Sequence, residues 1–198
     1  MGTPMAPQGF AERTRAKAWV FVAAVAIGAI DLGSYAFLTR SSVDFIVARR
    51  EAKAPAYHMG TVVSWTQHSP GALFGWSRPQ PAGTWSVGPV AALAVRLAER
   101  PHGNLLLSAS VTAFVDGRTV RVRHVDVLVN GAAVAEWRFE HGGAVERTAR
   151  IPGELVRDDR IVRVEFRFRE LYSPSALGTG RDRRKISLML SRWRLDPG

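Results

Sequence analysis

The chain has 198 residues, 46% of them hydrophobic, and a formal net charge of +10 from 27 basic and 17 acidic residues. It has no cysteine, which excludes thiolate metal sites, cysteine nucleophiles and a disulfide framework. All basic residues except Lys17, Lys53 and Lys185 are arginine, and they interleave with acids instead of forming one dense face; Arg181-Asp182-Arg183-Arg184-Lys185 is the only tight cluster, so nucleic acid is not an expected partner.

Residues 1–17 read as a short basic tail carrying Arg13, Arg15 and Lys17. Residues 18–38 are then apolar except for Asp31, and at 1.5 Å per residue such a helix is about 31 Å long, the thickness of a bilayer core. The run exceeds the core of about 7–15 residues that a cleavable signal peptide carries, which favours a permanent single-pass anchor. The short tail and the large C-terminal part favour a cytoplasmic N-terminus in the inner membrane of a bacterium and a periplasmic domain, although cations flank the span on both sides. An ionised Asp31 inside lipid costs about 2.5–3.5 kcal/mol unless it finds a partner. Gly28, Gly33 and Ser34 are small enough to admit a neighbouring helix beside Asp31, making these four residues the candidate contact with another integral membrane subunit. The alternative is that Asp31 snorkels or is protonated.

Residues 39–60 are expected to hold a short amphipathic helix, with Val43, Ile46 and Val47 on one face and Asp44, Arg49, Arg50, Glu51 and Lys53 polar, ended by Pro55. From residue 61 the period changes to two. Val62–Trp65, Thr84–Ser86, Val90–Leu97, Leu105–Val115, Val125–Val129, Val134–Phe139, Ile161–Arg169 and Ile186–Leu195 alternate as strands do. Asp116-Gly117 reads as a tight turn into a strand carrying Val120 and Val122, Asn130-Gly131 is a second turn signal, and the parity shift at Arg123-His124 predicts a bulge. The expected fold is therefore mainly β: an antiparallel sandwich, jelly-roll-like, over 61–198, preceded by one transmembrane α-helix.

The least generic stretch is Gly75 to Ser86, in which Trp76-Ser77 and Trp85-Ser86 flank a loop containing Arg78, Pro79, Gln80, Pro81 and Gly83. Aromatic faces stack on the C–H faces of sugars, and amide and guanidinium donors meet hydroxyls, so Trp76, Arg78, Gln80 and Trp85 are the candidate carbohydrate contacts. The competing reading is that both indoles plug the sandwich. His58, His68, His102, His124 and His141 lack metal-ligand spacing, and Asp158-Asp159 reads as a turn before a strand. No catalytic set, metal site or cofactor is expected.

The run at 75–86, Val127-Leu-Val-Asn-Gly131 and the tract from Leu171 to Arg184 resemble an uncharacterised β-domain found at the C-terminus of bacterial membrane glycosyltransferases and polysaccharide-biosynthesis proteins. The resemblance covers roughly residues 65–196. It implies a periplasmic sandwich and a non-catalytic accessory role for a machine that makes or exports envelope glycan, with polysaccharide and membrane lipid as partners. The multi-pass catalytic region that such domains follow is not among these 198 residues, and Gln80 stands where an acidic residue is expected. The rival expectation is a structural subunit of a respiratory or photosynthetic membrane complex, docked through its transmembrane helix.

Overall fold

The computed structural model describes residues 46–198. The expected tail and span, with Gly28, Asp31, Gly33 and Ser34, lie outside the described residues, and among those described no helix is long and apolar enough to cross a membrane.

Residues 46–51 are helical, and after them, apart from one 3-10 turn at Gly153–Leu155, the chain is strand, turn and loop. The strands are β1 (Ala56–Tyr57), β2 (Val63–Ser64), β3 (Ala72–Phe74), β4 (Thr84–Val87), β5 (Val90–Leu97), β6 (Leu105–Ala113), β7 (Arg123–Val129), β8 (Ala132–Phe139), β9 (Ala144–Ile151), β10 (Ile161–Phe168) and β11 (Ile186–Pro197). One sheet runs β1-β5-β10-β7-β8 with β3 also on β5; the other runs β2-β11-β6-β9 with β4 also on β11. From β4 onward every ladder is antiparallel, giving the orders β5-β10-β7-β8 and β4-β11-β6-β9. Two interleaved Greek keys of this kind make a jelly roll. Only β1, parallel to β5, breaks the antiparallel rule.

The core lies where alternation aims it. Leu93, Val95 and Leu97 of β5 and Val162, Val164 and Phe166 of β10 face Leu107 and Val111 of β6 and Leu188, Leu190 and Trp193 of β11 across the sandwich. A smaller cluster on the outer side of the first sheet joins Leu73, Ala92, Ala94 and Ile161. Asn130 and Gly131 have φ of 48° and 92°, as the tight turn between β7 and β8 requires. Asn130 also ends the β10–β7 ladder: its Oδ1 accepts the Arg163 N–H at 3.0 Å, and its Nδ2 donates to Leu155 O at 2.7 Å and Ile161 O at 3.0 Å. Tyr57 closes the opposite seam, donating to Thr61 O at 2.6 Å and accepting the Leu195 N–H at 2.8 Å.

Three expectations change. The parity shift at Arg123-His124 is not a bulge: Arg123 faces inward in register with Val125 and is fully buried, and the irregularity falls between Val127 and Leu128, paired with Ala135 and Ala133. Residues 120–122 form no strand, because the Asp116 carboxylate gathers the N–H groups of Arg118, Thr119 and Val120 at 3.0, 2.9 and 2.7 Å into a loop. β9 was not expected at all.

Glu51 also departs from the polar face assigned to it. It is buried, its Oε1 lies 2.7 Å from Arg163 Nη1 and its Oε2 lies 3.2 Å from Arg157 Nη1. The ion pairs continue across the outer face of the first sheet from Arg163 to Glu165 at 2.9 Å and from Glu165 to Arg167 at 3.1 Å. Residues 49–55 are therefore pinned to the sheet by a carboxylate held between two guanidiniums. Replacing Glu51 with alanine strands that charge pair, but Arg157 and Arg163 keep other acidic partners and partial solvation. The expected cost is about 1–3 kcal/mol, read as a lower urea midpoint by tryptophan fluorescence, with Glu51→Gln recovering part of it.

Candidate functional site

The 75–86 stretch is a hairpin that lies on the seam between the sheets. Gly75 and Gly71 both have left-handed φ, at 75° and 79°, and a Cβ at either would strike backbone oxygen of β5, Val90 O at 2.1 Å and Ala94 O at 2.6 Å. Glycine at both ends of β3 thus allows that strand to lie against β5. Beyond it, Ser77 N donates to Trp85 O at 2.8 Å and Val87 N to Gly75 O at 2.7 Å, while Gln80 and Gly83 exchange two bonds of 2.9 Å around the tip Pro81-Ala82.

This pairing sorts the four candidate contacts. Trp76 bridges to Ser86, so both side chains point into the sandwich and Trp85, one residue away, points out. The Trp76 indole N–H donates to Ala92 O at 2.8 Å, its ring meets Trp65 edge-on at 4.7 Å, and Phe166 lies 5.9 Å away. Trp76 and Trp85 do not form one aromatic platform. Trp76 and Arg78 do share a wall of an open groove of about 650 Å³ that runs beside β3, with Gln67, His68, Phe74 and Ser77. Gln80 and Trp85 are not in that wall. A second recess of about 290 Å³, with Lys53, Pro55 and Ala94, adjoins it through the shared residues Arg50, Ala72 and Leu73. Arg50 is fixed there by a bond from its guanidinium to Leu73 O. Together the two recesses offer an aromatic and aliphatic floor, from Phe74, the edge of Trp76 and Leu73, flanked by amide, imidazole, hydroxyl and guanidinium groups. Phe74, Gln67 and His68 escaped the sequence reading; only the adjacency of Phe74 to Gly75-Trp76 hinted at the first.

Other surfaces are less suited to a ligand. A groove of about 490 Å³ on the outer face of the second sheet is lined by Val62, Ser108, Thr148, Arg192 and Glu146, the last two already paired at 2.9 Å. Beside β9 a recess of about 280 Å³ has its aromatic face, Phe139, covered by the Arg147 guanidinium at 4.8 Å. Among the described residues no three His, Asp or Glu side chains gather as metal ligands. His124 pairs with Glu136 at 2.7 Å. In the Asp158-Asp159 turn, Asp158 meets Arg100 and Asp159 meets Arg157, each at 2.7 Å.

At one end of the sandwich buried Arg123 joins two loops, donating to Glu170 O at 2.5 Å and Phe114 O at 3.2 Å, with its guanidinium 5.6 Å from the Tyr172 ring. Burial pushes the Arg123 pKa down, with Glu170 and Tyr172 pulling it back. The second of these loops carries the basic cluster, in which Arg184 grips Asp182 at 2.6 Å. The Arg184 guanidinium holds the Asp182 carboxyl below the usual carboxylate range.

No family model matches this chain, and no curated protein matches it. Among solved structures, a carbohydrate-binding module, CBM36, in complex with calcium and xylotriose is similar over 69% of this chain and 99% of its own, at 12% identity and a TM-score of 0.40. The CBM36-1 domain of a multidomain xylanase from the hindgut metagenome of Trinervitermes trinervoides is similar over 70% and 97%, at 11% identity and 0.40. The EclA C-terminal domain, a sugar-binding protein, is similar over 69% and 77%, at 5% identity and 0.38. Scores this low carry no conclusion about this chain, whose fold rests on its own strand order.

Two outcomes follow from the geometry. Trp76→Ala removes an interlocked core ring and is expected to cost about 3–5 kcal/mol, whereas Arg78→Ala, on an exposed loop, stays within about 0.5 kcal/mol, both read from chemical denaturation. For Asp182 the folded pKa is depressed below the ordinary 3.8, so its stabilisation is present above that value and lost as pH falls through the folded pKa. Thermal melts of wild type and Asp182→Ala should therefore differ near neutral pH and converge in acid.

Proposed function

We propose that the sandwich is a non-catalytic glycan-contacting module of a single-pass membrane accessory protein. In this reading residues 18–38 span a bacterial inner membrane, the sandwich faces the periplasm, and the groove beside β3 holds a polysaccharide segment for an envelope-glycan synthesis or export machine. The observation that carries the reading is the groove itself. Phe74 and the edge of Trp76 lie in one wall with Gln67, Ser77 and Arg78. Sugar recognition needs apolar area for ring C–H groups beside planar donors for hydroxyls, and little else. The floor is preorganised, because the Trp76 indole is locked by Ala92 O and Trp65 and Arg50 by Leu73 O. A preset floor lowers the ordering cost of binding. The anchor is supported by the length and apolarity of 18–38.

The test uses the intact protein in mild detergent, run through native gels containing a panel of bacterial polysaccharides. Wild type is expected to be retarded by at least one polymer, and Gln67→Ala/Arg78→Ala to bind it about tenfold more weakly, equivalent to about 1.4 kcal/mol. Unchanged mobility of wild type on every polymer removes the reading. Co-purification then separates it from the rival role: a glycosyltransferase or exporter among the partners supports the glycan role, whereas a stoichiometric haem- or pigment-bearing complex supports a structural subunit.

A further inference from the structure

The groove has a charge character that glycan binding alone does not require. The walls of the two adjoining recesses contain Arg50, Lys53 and Arg78 and no carboxylate. None of the three cations forms an ion pair with any described residue. Along β10, on the same outer side of the sheet, Arg157, Arg163, Arg167 and Arg169 each have a carboxylate within 2.7–3.1 Å, while Arg96 on β5 is met by the carbonyl oxygens of Asp159 and Ala52. What sets the groove apart is three cations and no acid in one continuous recess, where the β10 strip neutralises its arginines in place.

Resting on the glycan reading, we infer that the groove selects an anionic glycan, a polymer whose sugars carry carboxylate or phosphate groups. Ring faces would lie on Phe74 and the edge of Trp76, and the acidic substituents would meet Arg78 at one end and Lys53 and Arg50 at the other. Arginine supplies the planar fork that fits a carboxylate or phosphate, and lysine a mobile point charge. A cleft of one sign of charge also raises the local concentration of an oppositely charged polymer. Anionic lipid is the other source of such groups. Surface binding to a bilayer needs apolar side chains that project outward and enter it. The apolar floor here is recessed, with Leu73 buried and Phe74 and Trp76 only partly exposed, which suits a chain laid into the groove.

A matched pair of probes isolates the charge: polygalacturonate, and the same polymer with its carboxylates reduced to alcohols, each titrated against the intact protein in neutral detergent. The expected result is binding of polygalacturonate about tenfold tighter than of the reduced polymer at low ionic strength, a gap that closes toward 0.5 M salt as screening sets in. Lys53→Gln/Arg78→Gln, which leaves only Arg50, should close most of the gap with the melting temperature unchanged, and a gap left at full size overturns the inference. Equal affinity for the two polymers overturns the inference while leaving the glycan reading in place, and failure of both to bind overturns the two together. Displacement of polygalacturonate by micelles doped with phosphatidylglycerol, but not by those doped with phosphatidylcholine, assigns the cations to lipid and overturns the inference as well.

Discussion

One indole holds the seam on which the rest of this domain is organised. Trp76 is carried by a hairpin whose other arm, β4, belongs to the sheet of β11, yet its N–H donates to Ala92 O on β5 of the facing sheet. Its ring meets Trp65 and Phe166, which come from opposite sides of the sandwich. A largely buried N–H left without its acceptor costs about 1–3 kcal/mol, more than the net worth of the bond itself, so the contact fixes both sheets and the hairpin together. The groove beside β3 exists because this hairpin cannot slide, and because Gly71 and Gly75 let β3 approach the backbone of β5.

Charge is organised around the same seam. The outer face of the first sheet is a ladder in which Glu51, Arg163, Glu165 and Arg167 alternate in sign, the two acids buried and the arginines partly solvated. Such a ladder gains little from each exposed contact, but each member satisfies its neighbour, which is the condition for keeping carboxylates out of water. The β3 groove has no such pairing. Buried Arg123 is a third arrangement: a cation whose two Nη groups meet carbonyl oxygens beside an aromatic face, while its Nε has no partner, tying two loops at one end.

The fold was largely readable from residue order because most strands alternate between aliphatic and polar side chains. Val164, Phe166 and Phe168 face inward as their spacing demands, and Asn130-Gly131 turns where it should. β9 escaped because it is an edge strand: Ala144 to Glu146, Thr148 and Arg150 are exposed, and only Ala149 and Ile151 reach the core, so no hydrophobic period marks it. Arg123 misled because an arginine in a strand ordinarily faces water; its inward position is decided by carbonyls of Phe114 and Glu170, which lie in two loops that no local pattern brings together. The site was half readable. Trp76 and Arg78 share a wall as their proximity suggested, but Trp85 follows from pairing parity, which puts it on the opposite face. Gln67 and His68 reach the groove on a loop without periodicity, aimed by contacts such as Thr84 Oγ1 to Trp65 O at 2.8 Å.

The position of Glu51 has a mechanical meaning. Tension applied through the residues before 49 reaches the ionic contacts with Arg157 and Arg163 before it loads the two-residue strand β1, which is held to β5 in parallel. Those contacts can break and re-form without unzipping a ladder. A short, weak first strand is thereby shielded from a pull on the chain ahead of it, and the long central strands of the jelly roll lie further still along the path of the load.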